Sequence, residues 1–171
     1  MTATKKTTTA RKSAPADAIQ LLTQDHKEVK ALFKDYEKLV KAEADDEEKL
    51  DIAQQICMKL TVHATVEEEL FYPAARDALG EDADLVDEAD VEHASAKELI
   101  AQIRSSSPAE DDHFDAKVKV LGEYIDHHVK EEEGEMFPKV KKADLDLAAL
   151  GEELASRKED LLAELGVTEE A

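Results

Sequence analysis

Apolar residues recur along this chain in steps of three and four, the period of one helix face, and nowhere alternate as in a strand. The first helix is predicted from Pro15 to Lys41, with Ile19, Leu22, Val29, Phe33, Tyr36 and Val40 on one face. Pro15 suits a first-turn position. The second is predicted from Asp45–Asp46, with Glu48 placed for a capping box, to Leu79, with Gly80 as the stop. Its stripe is Ile52, Ile56, Leu60, Leu70 and Ala74, and Pro73 is expected to kink or loosen its last turn. The third runs from Asp84 to Arg104 on Val86, Ala89, Ala96, Ile100 and Ile103. Ser107, Pro108 and Glu110 read as cap, first position and capping-box acid of a fourth, which carries Phe114, Val118, Leu121, Ile125 and Met136 and ends near Lys142. A fifth amphipathic segment, Leu145–Leu165, stops at Gly166. Short breaks between long helices predict an all-α fold, an up-down-up-down four-helix bundle over residues 15–142. Residues 143–171 add a C-terminal helix that packs on the bundle or on a partner.

Each of the four bundle stripes has a gap, and a histidine fills it: His26, His63, His93 and His128. Glu67 follows His63 by four residues and Glu132 follows His128 by four, so both acids share the core-facing side of their helices. An ionised carboxylate inside a protein costs several kcal/mol unless it is paired or bound to a metal. Four imidazoles and two carboxylates in one interior are therefore costly alone and favourable around a cation. The donor types suit iron, manganese or zinc, and six ligands exceed what one zinc ion takes. Two metals sharing all six, about 3.5–4 Å apart, would use the whole set.

Heights along the bundle support this convergence. About a turn near residue 44, His26 lies 18 residues before and His63 19 after. About residue 81, Glu67 lies 14 before and His93 12 after. The third turn fits less well: from residue 107, His93 lies 14 before and His128 21 after, a difference the loop Ser105–Asp112 is expected to absorb in part. The two carboxylate helices also repeat each other, since Pro73 follows His63 by ten residues and Pro138 follows His128 by ten. That register selects His128 over its neighbour His127, which is expected at the surface or beside the ligands, and His113 falls off the stripe. Glu68, Glu69, Glu131 and Glu133 are expected in solvent, and Tyr36 and Tyr124 as packed tyrosines.

Composition narrows the setting. The chain has 171 residues, enough for one cored domain, and a formal net charge of −20. Residues 1–14 carry Lys5, Lys6, Arg11 and Lys12 and no acid, the composition of a disordered basic tail, which leaves −24 on the rest. So acidic a body repels nucleic acid and anionic membranes. The single cysteine, Cys57, excludes an intrachain disulfide, and no apolar run reaches the length of a membrane span. A reducing compartment, the bacterial cytoplasm by default, is the expected location.

The residues that carry a family resemblance are Gln24-Asp25-His26-Lys27-Glu28, His63 with Glu67-Glu68-Glu69-Leu70-Phe71-Tyr72-Pro73, Glu92-His93, and His127-His128 through Glu132 to Met136-Phe137-Pro138. On these the chain resembles the hemerythrin-like (HHE cation-binding) family over about residues 17–142. The resemblance implies an oxo- or hydroxo-bridged non-haem di-iron centre. His26, His63, His93 and His128 would be its terminal ligands and Glu67 and Glu132 its bridging carboxylates, with iron ahead of manganese or zinc. It implies binding or sensing of oxygen, nitric oxide or peroxide, in oxygen, iron or stress response. Oxygen-carrying hemerythrins have a fifth histidine one turn from another; here Ala89 and Lys97 flank His93, which favours sensing or oxidation chemistry over oxygen carriage.

Two other classes compete. One is a di-iron enzyme with peroxidase, oxidase or ferroxidase activity; the other is a metal-free bundle that binds a partner through its last helix. A ferritin-type site needs two carboxylate-x-x-His pairs, and only Asp90 with His93 fits.

Overall fold

A computed structural model describes residues 15–166, so the predicted basic tail 1–14 lies outside the described residues. The helices are α1 (Ala18–Lys41), α2 (Asp46–Val66), α3 (Tyr72–Leu79), α4 (Asp84–Arg104), α5 (Phe114–Glu131), α6 (Phe137–Lys142) and α7 (Leu147–Glu164). Among the described residues there is no strand. One turn of π-helix, Glu67–Phe71, joins α2 to α3 without a break, and a second, Glu132–Met136, joins α5 to α6. Four rods result, packed up-down-up-down, with α1 and α4 each lying against both α2 and α5. The all-α bundle expected from the stripes is the observed fold.

Local chemistry explains the boundaries. α1 starts after Pro15, because Asp17 caps it: its carboxylate accepts from Gln20 N–H while the Gln20 side chain accepts from Asp17 N–H. Asp45 caps α2 through Glu48 N–H at 2.9 Å. The fourth rod starts later than Ser107-Pro108 predicts. The Ser107 carbonyl takes Glu110 and Asp111 N–H in a single turn, and then the Asp111 side chain takes His113 N–H at 2.8 Å and Lys117 Nζ at 2.7 Å. This aspartate turn competes with helix until Phe114, which is buried. The late start also reduces the height mismatch from about seven residues to three. His93 lies 11 residues before the end of α4, and His128 14 after the start of α5.

The disturbance expected at Pro73 takes the form of a loosened turn, and Pro138 has the same one. Tyr72 N–H reaches back five residues to the Glu67 carbonyl, and Phe137 N–H does the same to Glu132. Each wide turn ends two residues before a proline, whose ring would otherwise crowd the carbonyl four residues back, and α-helix resumes from the residue between them. Phe71 and Tyr72, and likewise Met136 and Phe137, are consecutive yet buried.

The apolar core is divided in two. One cluster holds Ile19, Leu22, Val66, Phe71, Ala89, Met136 and Val140; the other holds Val29, Ile56, Leu60, Ile100, Val118 and Leu121. His26, His63, His93 and His128 fall between them along their helices. α7 lies on α1 and α2 and adds Leu150 and Leu154 to the first cluster. Its approach to the start of α1 is close enough to demand Gly151, because a Cβ there would meet Ala16 O at 2.7 Å and Ala18 N at 2.8 Å. Gly151→Ala, ordinarily favourable inside a helix, is therefore expected to cost about 1–3 kcal/mol, read from urea unfolding of the full chain.

Cys57 is buried among these side chains, and burial pushes its thiol up to about 11.

Candidate metal centre

The six predicted residues meet in the layer between the two apolar clusters, and all six are buried: His26, His63, Glu67, His93, His128 and Glu132. They form two groups. The donor atoms of His26, His63, Glu67 and Glu132 lie within 4.8 Å of one another, as do those of Glu67, His93 and His128. Glu67 belongs to both. The His26 and His63 Nε2 atoms are 3.2 Å apart, and so are those of His93 and His128. Glu132 reaches both pairs, with Oε1 3.3 Å from His26 Nε2 and Oε2 3.1 Å from His128 Nε2. Glu67 pairs closely with His63.

The two halves are related by the internal repeat. His26 matches His93, His63 matches His128, and Glu67 matches Glu132. Both carboxylates open a π turn, where the widened backbone places an acid beside a buried histidine one turn back.

A second layer of carboxylates was not legible as such. Each core histidine turns Nδ1 outward to an acid on a neighbouring rod. Asp25 holds His63 at 2.9 Å, Glu92 holds His128 at 3.1 Å, Glu133 holds His26 at 3.2 Å and Glu68 holds His93 at 3.4 Å. All four Nε2 atoms are thereby aimed inward with fixed ring orientation, as metal-bound imidazoles require. Of the acids expected in solvent, Glu68 and Glu133 take this role, while Glu69 pairs with Arg157 and Glu131 with the exposed His127. A signal was available: each helper is next in sequence to one of the six, in Asp25-His26, Glu92-His93, Glu67-Glu68 and Glu132-Glu133.

Tyr72 was also missed. Its hydroxyl donates to Glu132 Oε2 at 2.7 Å and lies 3.1 Å from His93 Nε2. In the matching place Phe137 stacks on His26, with ring centroids 6.0 Å apart. The repeat is thus broken at one atom, and only the His93/His128 half has a phenol. Tyr36 instead donates to Asp115 at 2.6 Å, away from the site, and Tyr124 is exposed.

Electrostatics follow from burial and proximity. Burial disfavours charge on His63, yet Glu67 and Asp25 together raise its pKa well above the ordinary imidazole value. Burial likewise opposes charge on His128, but Glu132, Glu67 and Glu92 lift it to about 9. Burial would raise Glu132, and His128 and His26 nonetheless hold it well below the usual carboxylate range. Burial, then the charges of Glu67 and Glu132, push the Tyr72 phenol well up, so it keeps its proton.

The donor set passes a simple test of fit. Both oxygens of Glu67 and Oε1 of Glu132 are buried and face no donor except the histidine nitrogens. Buried carboxylate oxygens left this way cost free energy that a cation between the histidine pairs would recover.

Comparison with known proteins agrees. The chain is 31% identical over 124 residues to a DNA nickase of Nostoc sp., a match covering 71% of this chain but only 32% of that protein. The chain thus spans about a third of that relative's length. A solved hemerythrin HHE cation-binding domain-containing protein from Mycobacterium kansasii superposes with a TM-score of 0.69 at 25% identity, over 87% of this chain and 89% of its own. The family model of the hemerythrin HHE cation-binding domain matches residues 17–140. This metal-binding bundle belongs to the hemerythrin HHE cation-binding domain family.

Proposed function

We propose that the six core side chains hold two iron ions and that the protein uses them to bind or sense a small molecule: oxygen, nitric oxide or peroxide. The observation that carries this is the pair of donor groups sharing Glu67, with three carboxylate oxygens facing four oriented Nε2 atoms and lacking any other partner. Each ion would take two histidines, with Glu67 and Glu132 common to both. Iron is put ahead of manganese and zinc on the family resemblance, and the nitrogen and oxygen donors suit it. When bound, a redox-active pair supplies electrons and an open coordination position.

The chain's own residues supply the surroundings. A cavity of about 30 Å³ lies beside the histidines, walled by Val29, Leu60, Ile100, Ile125 and Val129. It is large enough for a diatomic or water-sized molecule, and its apolar wall favours the former. Tyr72 presents an O–H to the same interior, which favours a second reading, turnover of peroxide or oxygen with the phenol as hydrogen-bond or proton donor.

No helix among the described residues is long and apolar enough to cross a membrane. A role in oxygen, iron or stress response in a reducing cytoplasm fits the lone buried thiol and the acidic surface. The nickase name belongs to a much longer protein, and a net charge of −20 opposes contact with phosphates, so nucleic acid is not proposed as a partner.

The test is metal content together with the absorption spectrum, before and after azide. Two irons per chain with near-ultraviolet bands that respond to azide are expected. A protein that stays colourless and metal-free after anaerobic ferrous loading would overturn the reading.

Metal binding should also release protons. The raised values of His63 and His128 mean that the metal-free site carries imidazolium at neutral pH, whereas a metal takes only the neutral ring. Affinity is expected to rise about tenfold per pH unit for each proton displaced, up to about pH 9. The metal-free protein should behave oppositely. The stability that His128 contributes is complete below its unfolded value of about 6.5 and is lost as pH rises through about 9. Calorimetry in buffers of differing ionisation heat checks the first, and urea unfolding against pH the second. Affinity independent of pH would remove the proton-coupled account.

A further inference from the structure

We infer that α7 is wired into the metal site, with Lys158 a positioning residue that acts on His63 through Asp25. The inference rests on the metal-binding reading and goes beyond it, because α7 lies outside residues 17–140, the part that matches the family model.

Asp25 is 8% exposed and is shared between two partners. Its Oδ2 lies 2.9 Å from His63 Nδ1, and its Oδ1 accepts from Lys158 Nζ at 2.6 Å. Lys158 sits on the inner face of α7, one turn from Leu154 and one turn from Leu162, both buried. The apolar stem is thus held between two leucines and the ammonium is delivered to the carboxylate. A lysine in an otherwise apolar stripe is explained by that target.

The matching half lacks the device. Glu92 holds His128, and among the described residues its other oxygen has the exposed His127 beside it, at 3.6 Å. Glu68, which holds His93, is paired with Lys97 of α4, within the bundle itself. Among the four carboxylates that orient the histidines, Asp25 alone takes an ion pair from α7. His63 therefore keeps its orientation only while α7 is docked, and the His26/His63 half depends on the C-terminal helix as the His93/His128 half does not. Linkage makes the dependence mutual: metal in the first half tightens the docking of α7 by the factor that α7 tightens the metal.

Full-chain wild type, Lys158→Met and Arg157→Met provide the test. Arg157 pairs with the exposed Glu69 and also ties α7 to the bundle, so its loss reports docking without touching Asp25. Metal release from loaded protein to a chelator is followed together with imidazole N–H exchange by NMR in the metal-free protein. Lys158→Met is expected to release one ion about 10–100-fold faster while the other leaves at the wild-type rate, with Arg157→Met close to wild type. In the metal-free protein, the His63 Nδ1–H should be protected in wild type and Arg157→Met and exposed in Lys158→Met. Equal release rates in all three proteins would overturn the inference, as would equal acceleration in both variants, since docking alone would then suffice. A wild type that takes up no metal would defeat the proposed function instead. The exchange measurement would still decide the relay, and unchanged His63 protection in Lys158→Met would overturn it.

Discussion

Glu67→Gln is expected to abolish binding at both metal positions and with it the stability that metal gives the bundle. Glu67 is the residue common to both donor groups, so its loss removes an anionic ligand from each at once. The amide keeps the volume, and the surrounding core need not collapse. In the metal-free state the buried Glu67 carboxylate pairs with His63, so neutralising it loses that ion pair and brings no gain in stability. His63 is not orphaned by the change, because Asp25 still accepts from its Nδ1. With metal present the gap widens. At a metal concentration about a thousand times the dissociation constant, wild type gains about 4 kcal/mol that the variant cannot. Urea unfolding with and without ferrous iron, alongside metal analysis, reads the difference. A variant that keeps two metals per chain would show that Glu67 is not a ligand.

His128→Ala and His127→Ala should differ sharply although the residues are adjacent. The His128 side chain is 7% exposed and the His127 side chain 68%. Removing His128 takes a donor from the second half, leaves Glu92 and Glu132 each without one partner, and opens a hole between the core clusters. Bound metal should fall from two ions to at most one, and the metal-free protein should lose on the order of 2–5 kcal/mol. His127→Ala removes only ion pairs with Glu131 and Glu92 at the surface and should stay within about 0.5 kcal/mol with both metals retained. The opposite outcome would mean that the fourth rod is rotated by about one residue from the arrangement described.

These two results bear on the same point, the register of helices in a bundle whose middle layer is polar. Layers of this kind are costly unless every member is satisfied. Here the histidines are satisfied from outside by four acids on neighbouring rods, while of the inward-facing carboxylate oxygens only Glu132 Oε2 takes a donor outside the histidines, the Tyr72 hydroxyl. That imbalance is what a cation would correct.

Much of this was legible in the residues alone. The four helical rods, the histidine in each stripe, the two acids four residues further on and the choice of His128 over His127 all follow from a period of 3.6 and from the repeated proline. These are local regularities, set by covalent geometry within one or two turns, and a single chain displays them before it folds. The helix starts were less legible, because Asp17 and Asp111 offered the backbone better partners than Pro15 and Ser107 did. The π turns were not legible. A proline signals a disturbed helix, but whether the backbone kinks or widens depends on what the displaced side chains can bury against. Least legible were the contacts that join sequence-distant groups: Asp25 with His63 and Lys158, Glu133 with His26, and Tyr72 with Glu132. Each depends on the rotation and height of one helix against another, and a shift of about 1.5 Å, one residue of rise, would break it. Helical period alone names the side chains that enter the core; which of them touch is settled by packing, because only packing brings separate helices to a common height and rotation.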